Sequence, residues 1–243
     1  MRVFKFLATA LLAAGFGAAH GATVTITFDN PIFGETGHDT GKIYFPSTPE
    51  SSNTRNMTVH AGRFVGEATN LVGIAPENFV DSTDSVFMYC YDLYDYIGAG
   101  DRVDYTIDFS GAVDRTLQFL FAVNTVLDAS DPYAWARPTN QWQAAAVQLG
   151  IWESLYDSGW SLDDGSFKIQ GFDDETRQWA SLFFSELDEN QLLDQRFTMV
   201  LRADGKQDMI TADPPTQIPE PGSLALLAAG LLGLAILRRR REI

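Results

Sequence analysis

Alternating hydrophobic and polar positions along the middle of this chain predict a set of short β-strands. The candidate strands span residues 24–28, 63–69, 87–94, 104–110 and 196–202. In the fourth, Tyr105, Ile107 and Phe109 alternate with polar neighbours, which is typical of a half-buried strand. Residues 29–56 are rich in Gly, Pro, Ser, Thr and Asn, so we predict a loop there.

Three segments repeat their apolar residues at spacings of three and four, which predicts α-helices. They cover residues 115–127, 141–156 and 173–187. Asp114 is a candidate N-cap for the first helix, and in the third we expect Trp179, Leu182 and Phe183 to face the core. The predicted class is α+β, a mostly antiparallel β-sheet or sandwich with a helical insertion over residues 114–187.

The two ends of the chain are set apart from this body. Residues 1–22 combine two basic residues, a short apolar run and small residues, which predicts a secretory signal peptide with its signal helix. The body then covers residues 23–205, followed by a polar linker over 206–217. Residues 223–237 carry no charge and predict a short transmembrane helix within a C-terminal unit, 218–243.

That C-terminal unit has three parts in a fixed order. Pro219, Glu220 and Pro221 precede the apolar segment, and a basic cluster follows it; the cluster consists of Arg238, Arg239, Arg240 and Arg241. Basic residues remain on the cytoplasmic side, so the body is expected outside. The order resembles the PEP-CTERM sorting signal of Gram-negative bacteria. An alternative is a plain single-span anchor.

The PEP-CTERM resemblance implies an exosortase as the partner that recognises and processes the chain near the Pro-Glu-Pro triplet. The protein would pass transiently through the inner membrane and reach the cell surface or an extracellular, exopolysaccharide-rich biofilm matrix. The formal net charge of −15 agrees with an exported, well-solvated body, and it excludes nucleic acid as a partner.

Metal and cofactor chemistry has little support in the sequence. The body contains two histidines, His38 and His60, which we place in or beside loops, so neither a zinc site nor a Cys-His nucleophile is indicated. Paired aspartates lack the spacing of a calcium-binding loop; the pairs are Asp128 with Asp131, Asp163 with Asp164, and Asp173 with Asp174. We therefore expect no metal and no cofactor.

Cys90 is the one cysteine of the chain, so an internal disulfide is impossible. Gln148 lies on the apolar face of the second predicted helix, where its amide points towards the core. A buried amide without partners costs about 1–3 kcal/mol, so something must satisfy or consume it. If the fold brings the two together, the sulfur can attack the amide carbon, expel ammonia and leave an internal thioester.

Two motifs carry a second resemblance. Tyr89-Cys90-Tyr91-Asp92 and residues 147–153, read as Val-Gln-Leu-Gly-Ile-Trp-Glu, resemble the thioester domains of bacterial surface adhesins. The resemblance implies that Cys90 and Gln148 are cross-linked, with Tyr89, Tyr91 and Trp152 around the bond. It implies single-use covalent attachment to a nucleophilic group of a protein or polysaccharide, without enzymatic turnover. Gly150 departs from the motif, which usually has Ala.

Two other functions stay open on the sequence. The body is either a structural matrix protein in which Cys90 is a free buried thiol, or a carbohydrate-binding module with tryptophan platforms. The platform candidates are Trp135, Trp142 and Trp160. A hydrolase has no assembled acid-base set to support it.

Overall fold

The computed structural model describes residues 21–213. Its strands are β1 Thr23–Phe28, β2 His38–Pro46, β3 Thr54–Gly62, β4 Phe64–Val72, β5 Val86–Cys90, β6 Arg102–Asp108, β7 Lys168–Gln170, β8 Thr198–Arg202 and β9 Met209–Ala212. Its helices are α1 Asp114–Asp128, α2 Gln141–Tyr156 and α3 Asp174–Ser185. The mixed class is as predicted, and the three helices fall between β6 and β8, where the helical insertion is expected.

Six strands close into a barrel in the order β1-β4-β5-β9-β8-β6, and every pairing is antiparallel. The predicted antiparallel sheet is therefore confirmed, but it closes into a barrel and does not form the sandwich given as the other possibility. Closure gives each of these strands two neighbours, which removes the exposed edges of a sheet. A second, small sheet has the order β3-β2-β7.

The loop predicted over residues 29–56 is wrong, because β2 and the start of β3 lie in it. The inward positions of β2 alternate as the pleat requires, but only Ile43 and Phe45 among them are hydrophobic. Asp39 and Gly41 occupy the other two inward positions. Because a carboxylate and a glycine stand at inward positions, the alternation of this strand does not appear as an alternation of hydrophobic and polar residues in the sequence.

Tertiary contacts explain both unusual residues of β2. The Asp39 carboxylate accepts hydrogen bonds from Asp173 N at 2.9 Å and from Thr176 Oγ1 at 2.6 Å, at the start of α3. A Cβ atom at Gly41 would lie 2.3 Å from the ring of Phe172, so only glycine fits there. Both residues therefore hold the small sheet against α3.

Helix α2 has the predicted bounds but a different environment. Asn140 caps its start, accepting from Gln143 N at 2.9 Å. Residues 143–154 are all buried, because α2 packs against α1, α3, β2 and β3 at once. The expected one-sided apolar face is wrong for this central helix. Gly150 is required there, since a Cβ would lie 2.0 Å from Cζ of Phe119.

The outer helices differ from expectation in detail. Val113 occupies the N-cap position of α1, and Asp114 lies in the first turn instead of capping it. On α3, Phe183 is buried as predicted, whereas Leu182 is 44% exposed and does not face the core. We refer to α1, α2 and α3 together as the helical layer.

The C-terminal end of the body lies further along the chain than residue 205. Strand β9 falls within the predicted linker 206–217 and pairs with both β5 and β8, so the first part of that range belongs to the barrel. Residues 21–213 contain no helix that is both long and apolar enough for a membrane span. The predicted signal helix, up to residue 20, and the transmembrane segment 223–237 lie outside the described residues.

Candidate functional site

The structure places Cys90 and Gln148 in direct contact, although they are 58 positions apart in sequence. Cys90 ends β5 in the barrel, and Gln148 lies in the middle of α2. Cys90 N donates to Gln148 Oε1 at 2.8 Å, and Gln148 Nε2 donates to Cys90 O at 2.9 Å. Both residues are buried, with Gln148 fully so. The amide that the sequence leaves unexplained is thus satisfied by the main chain of the one cysteine.

This contact occurs where the barrel loses a strand pairing. Strand β4 pairs with β5 from Val86 to Met88, where Met88 lies opposite Phe64. Cys90 lies two residues further, and the chain before Phe64 runs back into β3 of the small sheet. The side-chain amide of Gln148 supplies one donor and one acceptor, as a strand neighbour would do. It therefore completes the main-chain hydrogen bonding of β5.

The surroundings of Cys90 disfavour a free thiolate. Burial raises the pKa of the Cys90 thiol well above its ordinary value, and the nearby charge of Asp92 raises it further. A hydrogen bond from the backbone opposes this only in part. At neutral pH Cys90 is accordingly a protonated thiol, which is a weak nucleophile unless its proton is removed as it reacts.

A cavity of about 420 Å³ leads to this site from the surface. Cys90 and Trp152 line it, together with mainly apolar residues from the small sheet, from β4 and from the segment after β5. Gln148 is not among its lining residues. Trp152 is one helical turn from Gln148, and its Nε1 has no hydrogen-bond partner among residues 21–213. The cavity gives a small molecule or side chain a route to Cys90.

The other two residues predicted around the bond occupy a different position. Tyr89 and Tyr91 do not line the cavity, since side chains alternate between the two faces along an extended chain. The Tyr89 hydroxyl donates to the carbonyl of Trp135 at 3.3 Å. The Tyr91 hydroxyl accepts from Val113 N at 2.9 Å and so holds the start of α1. Both tyrosines fix the segment that carries Cys90.

Asp92 is a positioning residue that the motif contains but that sequence reasoning gives no role. Its Oδ1 accepts from Tyr94 N at 2.9 Å, and its Oδ2 accepts from Asp208 N. Tyr91 N donates to Asp208 O at 2.7 Å beside it. Burial raises the pKa of the Asp92 carboxyl, while these backbone donors lower it. Asp92 thus fixes the turn that follows Cys90 against the loop before β9.

The two histidines of the body lie on strands; the expected position in or beside a loop fits His38, the first residue of β2, but is wrong for His60, which lies within β3. His38 begins β2 and His60 lies on β3, and their ring centroids are 4.5 Å apart. His60 Nδ1 lies 2.8 Å from Thr40 Oγ1. His60 lines the cavity that reaches Cys90, whereas His38 does not. Reading residues 29–56 as a loop concealed this pair.

The tryptophans proposed as sugar platforms have little free surface. Trp135 is fully buried, so it has no face to offer a sugar ring. Trp142 is half-buried and donates from Nε1 to Asp173 at 3.1 Å. Trp160 stacks on Phe119 at 6.0 Å between centroids and carries the Arg115 guanidinium over its ring.

A larger groove, of about 800 Å³, lies along β6 and the β8–β9 turn and is lined mostly by charged residues. It does not include Cys90 or His60. Within residues 21–213, no three His, Cys, Asp or Glu side chains are grouped so that they could hold a metal ion.

The comparisons with known proteins concern the C-terminal tail. The family model for the PEP-CTERM protein-sorting motif matches residues 217–241, which include Pro219, Glu220, Pro221 and the four arginines. The chain is thus an exported protein that an exosortase sorts through the membrane to the cell surface. No curated protein and no solved structure matches the chain.

Proposed function

We propose that the body of this exosortase-sorted protein forms an internal thioester between Cys90 Sγ and Gln148 Cδ and uses it once, to attach covalently to a nucleophilic group at the cell surface or in the matrix. The observation that carries the proposal is the pair of hydrogen bonds between the Gln148 amide and the Cys90 main chain. They hold the amide carbon against the residue whose sulfur would attack it.

The same hydrogen bonds favour the chemistry of thioester formation. The Cys90 N–H that donates to Gln148 Oε1 is aligned to stabilise the negative charge that develops on this oxygen when sulfur attacks Cδ. As the S–C bond forms, the thiol proton passes to the amide nitrogen. The C–N bond then breaks and ammonia leaves, so that atoms and charges balance.

Burial is compatible with this route because no charged species has to persist. A thiol and a primary amide react to give a thioester and ammonia, all of them neutral. The raised pKa of Cys90 therefore opposes a pathway through a free thiolate but not a reaction in which the proton moves as the bond forms. The apolar surroundings then protect the product from water.

A nucleophile would reach the bond through the 420 Å³ cavity, in which Cys90 and Trp152 are lining residues. An amine or hydroxyl adds to the carbonyl carbon, the C–S bond breaks with its electron pair on sulfur, and Cys90 regains a proton. The partner remains joined through Gln148. Because the thioester is consumed, attachment occurs once per chain.

One observation favours a second function, that of a structural matrix protein with a free thiol. The Gln148 amide already satisfies the main chain of Cys90 at a site where β4 no longer pairs with β5. This arrangement stabilises the barrel without any reaction.

The intact mass of the exported protein distinguishes the two functions. A thioester makes the chain lighter by one ammonia than its sequence requires, and methylamine then adds at Gln148, which leaves the chain one methylene group heavier than its sequence. Cys90→Ala is the matched variant, since it keeps the main chain that contacts Gln148 and removes only the sulfur. Its mass should equal the sequence mass, before and after methylamine.

A full sequence mass for the unmodified chain, with no methylamine adduct, would leave only the structural function. Peptide mapping adds the position of the adduct, which must be Gln148. As a second control, Gln207→Ala should keep the ammonia deficit, because Gln207 lines the same cavity but is not bonded to Cys90 N.

A further inference from the structure

We propose that His60 is the proton acceptor for the nucleophile that opens the thioester; this inference rests on the proposed function. His60 and Cys90 line the same cavity although they lie on different sheets. Apart from Cys90, the titratable side chains that line it are His60, Asp95 and Tyr96. His60 is the one imidazole among these, and imidazole is the side chain that most often serves as a general base.

Neighbouring side chains fix the orientation of the His60 ring. Thr40 Oγ1 lies 2.8 Å from Nδ1, on the adjacent strand of the small sheet. The ring also makes edge contacts with His38 and with Phe33, at centroid distances of 4.5 Å and 6.4 Å. These three contacts restrict the orientation of an otherwise exposed imidazole.

Either atom can be the donor in the hydrogen bond between Thr40 Oγ1 and His60 Nδ1, and the proposed role requires the tautomer in which Nδ1–H donates. When Nδ1–H donates to Thr40 Oγ1, Nε2 carries the lone pair and can accept a proton. Because Nδ1 is bonded to Thr40 and His60 lines the cavity, we assign to Nε2 the role of accepting a proton from a molecule there. Thr40 is therefore a positioning residue for this role.

The proton-transfer step is balanced within the site. The hydroxyl proton of the nucleophile passes to Nε2 as its oxygen bonds to the carbonyl carbon. The C–S bond breaks, its electron pair remains on sulfur, and the imidazolium returns the proton to give the Cys90 thiol. An ester through Gln148 and a neutral His60 result.

Hydroxyl nucleophiles need such a base more than amines do. A free amine attacks with its own lone pair and loses its proton after the bond has formed, whereas a neutral hydroxyl must lose its proton as it attacks. We therefore expect His60 to control reaction with hydroxyl groups, such as those of a polysaccharide.

The test compares glycerol and methylamine as nucleophiles towards the exported, thioester-bearing protein. In His60→Gln the ammonia deficit should persist, because His60 lies on an exposed position of β3 and has no role in forming the bond. The rate of glycerol addition, followed by intact mass, should fall by about 100-fold, within the usual contribution of a general base. The rate with methylamine should fall much less.

Asp95→Asn is the matched control, since Asp95 is another proton-accepting side chain that lines the cavity. It should leave both rates near those of the unmodified protein. Thr40→Val should lower the glycerol rate more than the methylamine rate, because it removes the hydrogen bond that selects the tautomer.

Two results would overturn the assignment in distinguishable ways. An equal loss of both rates in His60→Gln, or no loss of either, with the ammonia deficit intact, rejects His60 as the base and leaves the thioester in place. Absence of the deficit in the unmodified protein rejects the thioester and this role together.

Discussion

The barrel and the helical layer satisfy their main-chain polar groups by different means, and Cys90 lies where the two meet. In the barrel each strand depends on its neighbours, whereas α2 bonds within itself and is buried on all sides. At Cys90, β5 extends beyond its pairing with β4, because the chain before Phe64 belongs to the small sheet, and a side chain of α2 supplies the missing hydrogen bonds. A local gap in one region is thus filled by the other, and this brings a thiol and an amide together.

The strongest test of this contact is to remove the large side chain beside it. Trp152 is 2% exposed and packs against Phe167, so Trp152→Ala should lower the free energy of unfolding by about 3–5 kcal/mol, as expected when a buried aromatic residue is lost. Urea denaturation measures the change. Trp142 lies on the same helix but is half-buried, so Trp142→Ala should lower the free energy of unfolding by clearly less. Equal losses in the two variants would mean that the contact with the barrel does not contribute more than other packing of α2.

The hydrogen bonds across the contact have a smaller expected effect. Gln148→Leu leaves Cys90 N–H and Cys90 C=O without partners, and each buried orphan costs about 1–3 kcal/mol. The comparison is best made in a Cys90→Ala background, so that no covalent bond contributes. Gln178→Leu on the exposed face of α3 is the control and should change the stability little. A neutral result for Gln148→Leu would contradict the role of α2 in completing β5.

Packing inside the helical layer is tested by Gly150→Ala. The added Cβ would lie 2.0 Å from the Phe119 ring, and such overpacking usually costs about 1–3 kcal/mol. The change also gains about 1 kcal/mol of helix propensity, so the net loss should be modest. Phe119→Leu in the same chain should make Gly150→Ala less harmful, as a double-mutant cycle would show. Simple additivity of the two changes would argue against a direct clash.

A pH-dependent effect is expected from Glu153, which lies in the last turn of α2. Burial raises the pKa of this carboxyl from 4.5 to about 8, and its Oε2 has no hydrogen-bond partner among residues 21–213. The folded state therefore binds the proton more tightly than the unfolded state. The stabilisation is fully present below pH 4.5 and is lost as the pH rises through about 8.

Denaturation at several pH values checks this expectation. Glu153→Gln should remove this fall of the unfolding free energy with rising pH. The variant should then be more stable than the unmodified protein above pH 8 and similar to it near pH 4. Glu186→Gln, at an exposed position after α3, is the control and should leave the slope unchanged. If the unfolding free energies of the Glu153 variant and the unmodified protein changed equally with pH, this carboxyl would not be the source of the pH dependence.

Much of the fold follows from patterns in the sequence. Helix α2 has the bounds that its spacing predicts, and β1, β4 and β6 lie close to their alternating segments. Strand β2 escapes prediction because Asp39 and Gly41 occupy buried positions that a hydrophobicity pattern reads as polar or flexible. Asp39 is buried because it accepts hydrogen bonds at the start of α3, and position 41 must be glycine because the Phe172 ring lies against it. Both contacts come from residues more than a hundred positions away in sequence.

The candidate site divides in the same way. The motif around Cys90 and the odd polar residue in α2 are visible in the sequence, and they identify the two groups that would react. The roles of Asp92 and His60 depend on the turn after β5 and on the pairing of β2 with β3, which no local pattern contains. The cavity that joins His60 to Cys90 exists only between two sheets.

The primary sequence was sufficient to predict that this protein is sorted, because a sorting signal consists of consecutive residues that a membrane enzyme recognises as a linear segment. It also determined the helices, whose period arises from bonds within four residues. Closure of the strands into a barrel and the contact between Cys90 and Gln148 are evident only in the folded chain. Both depend on contacts between distant segments, whose geometry is set by the packing of the whole body.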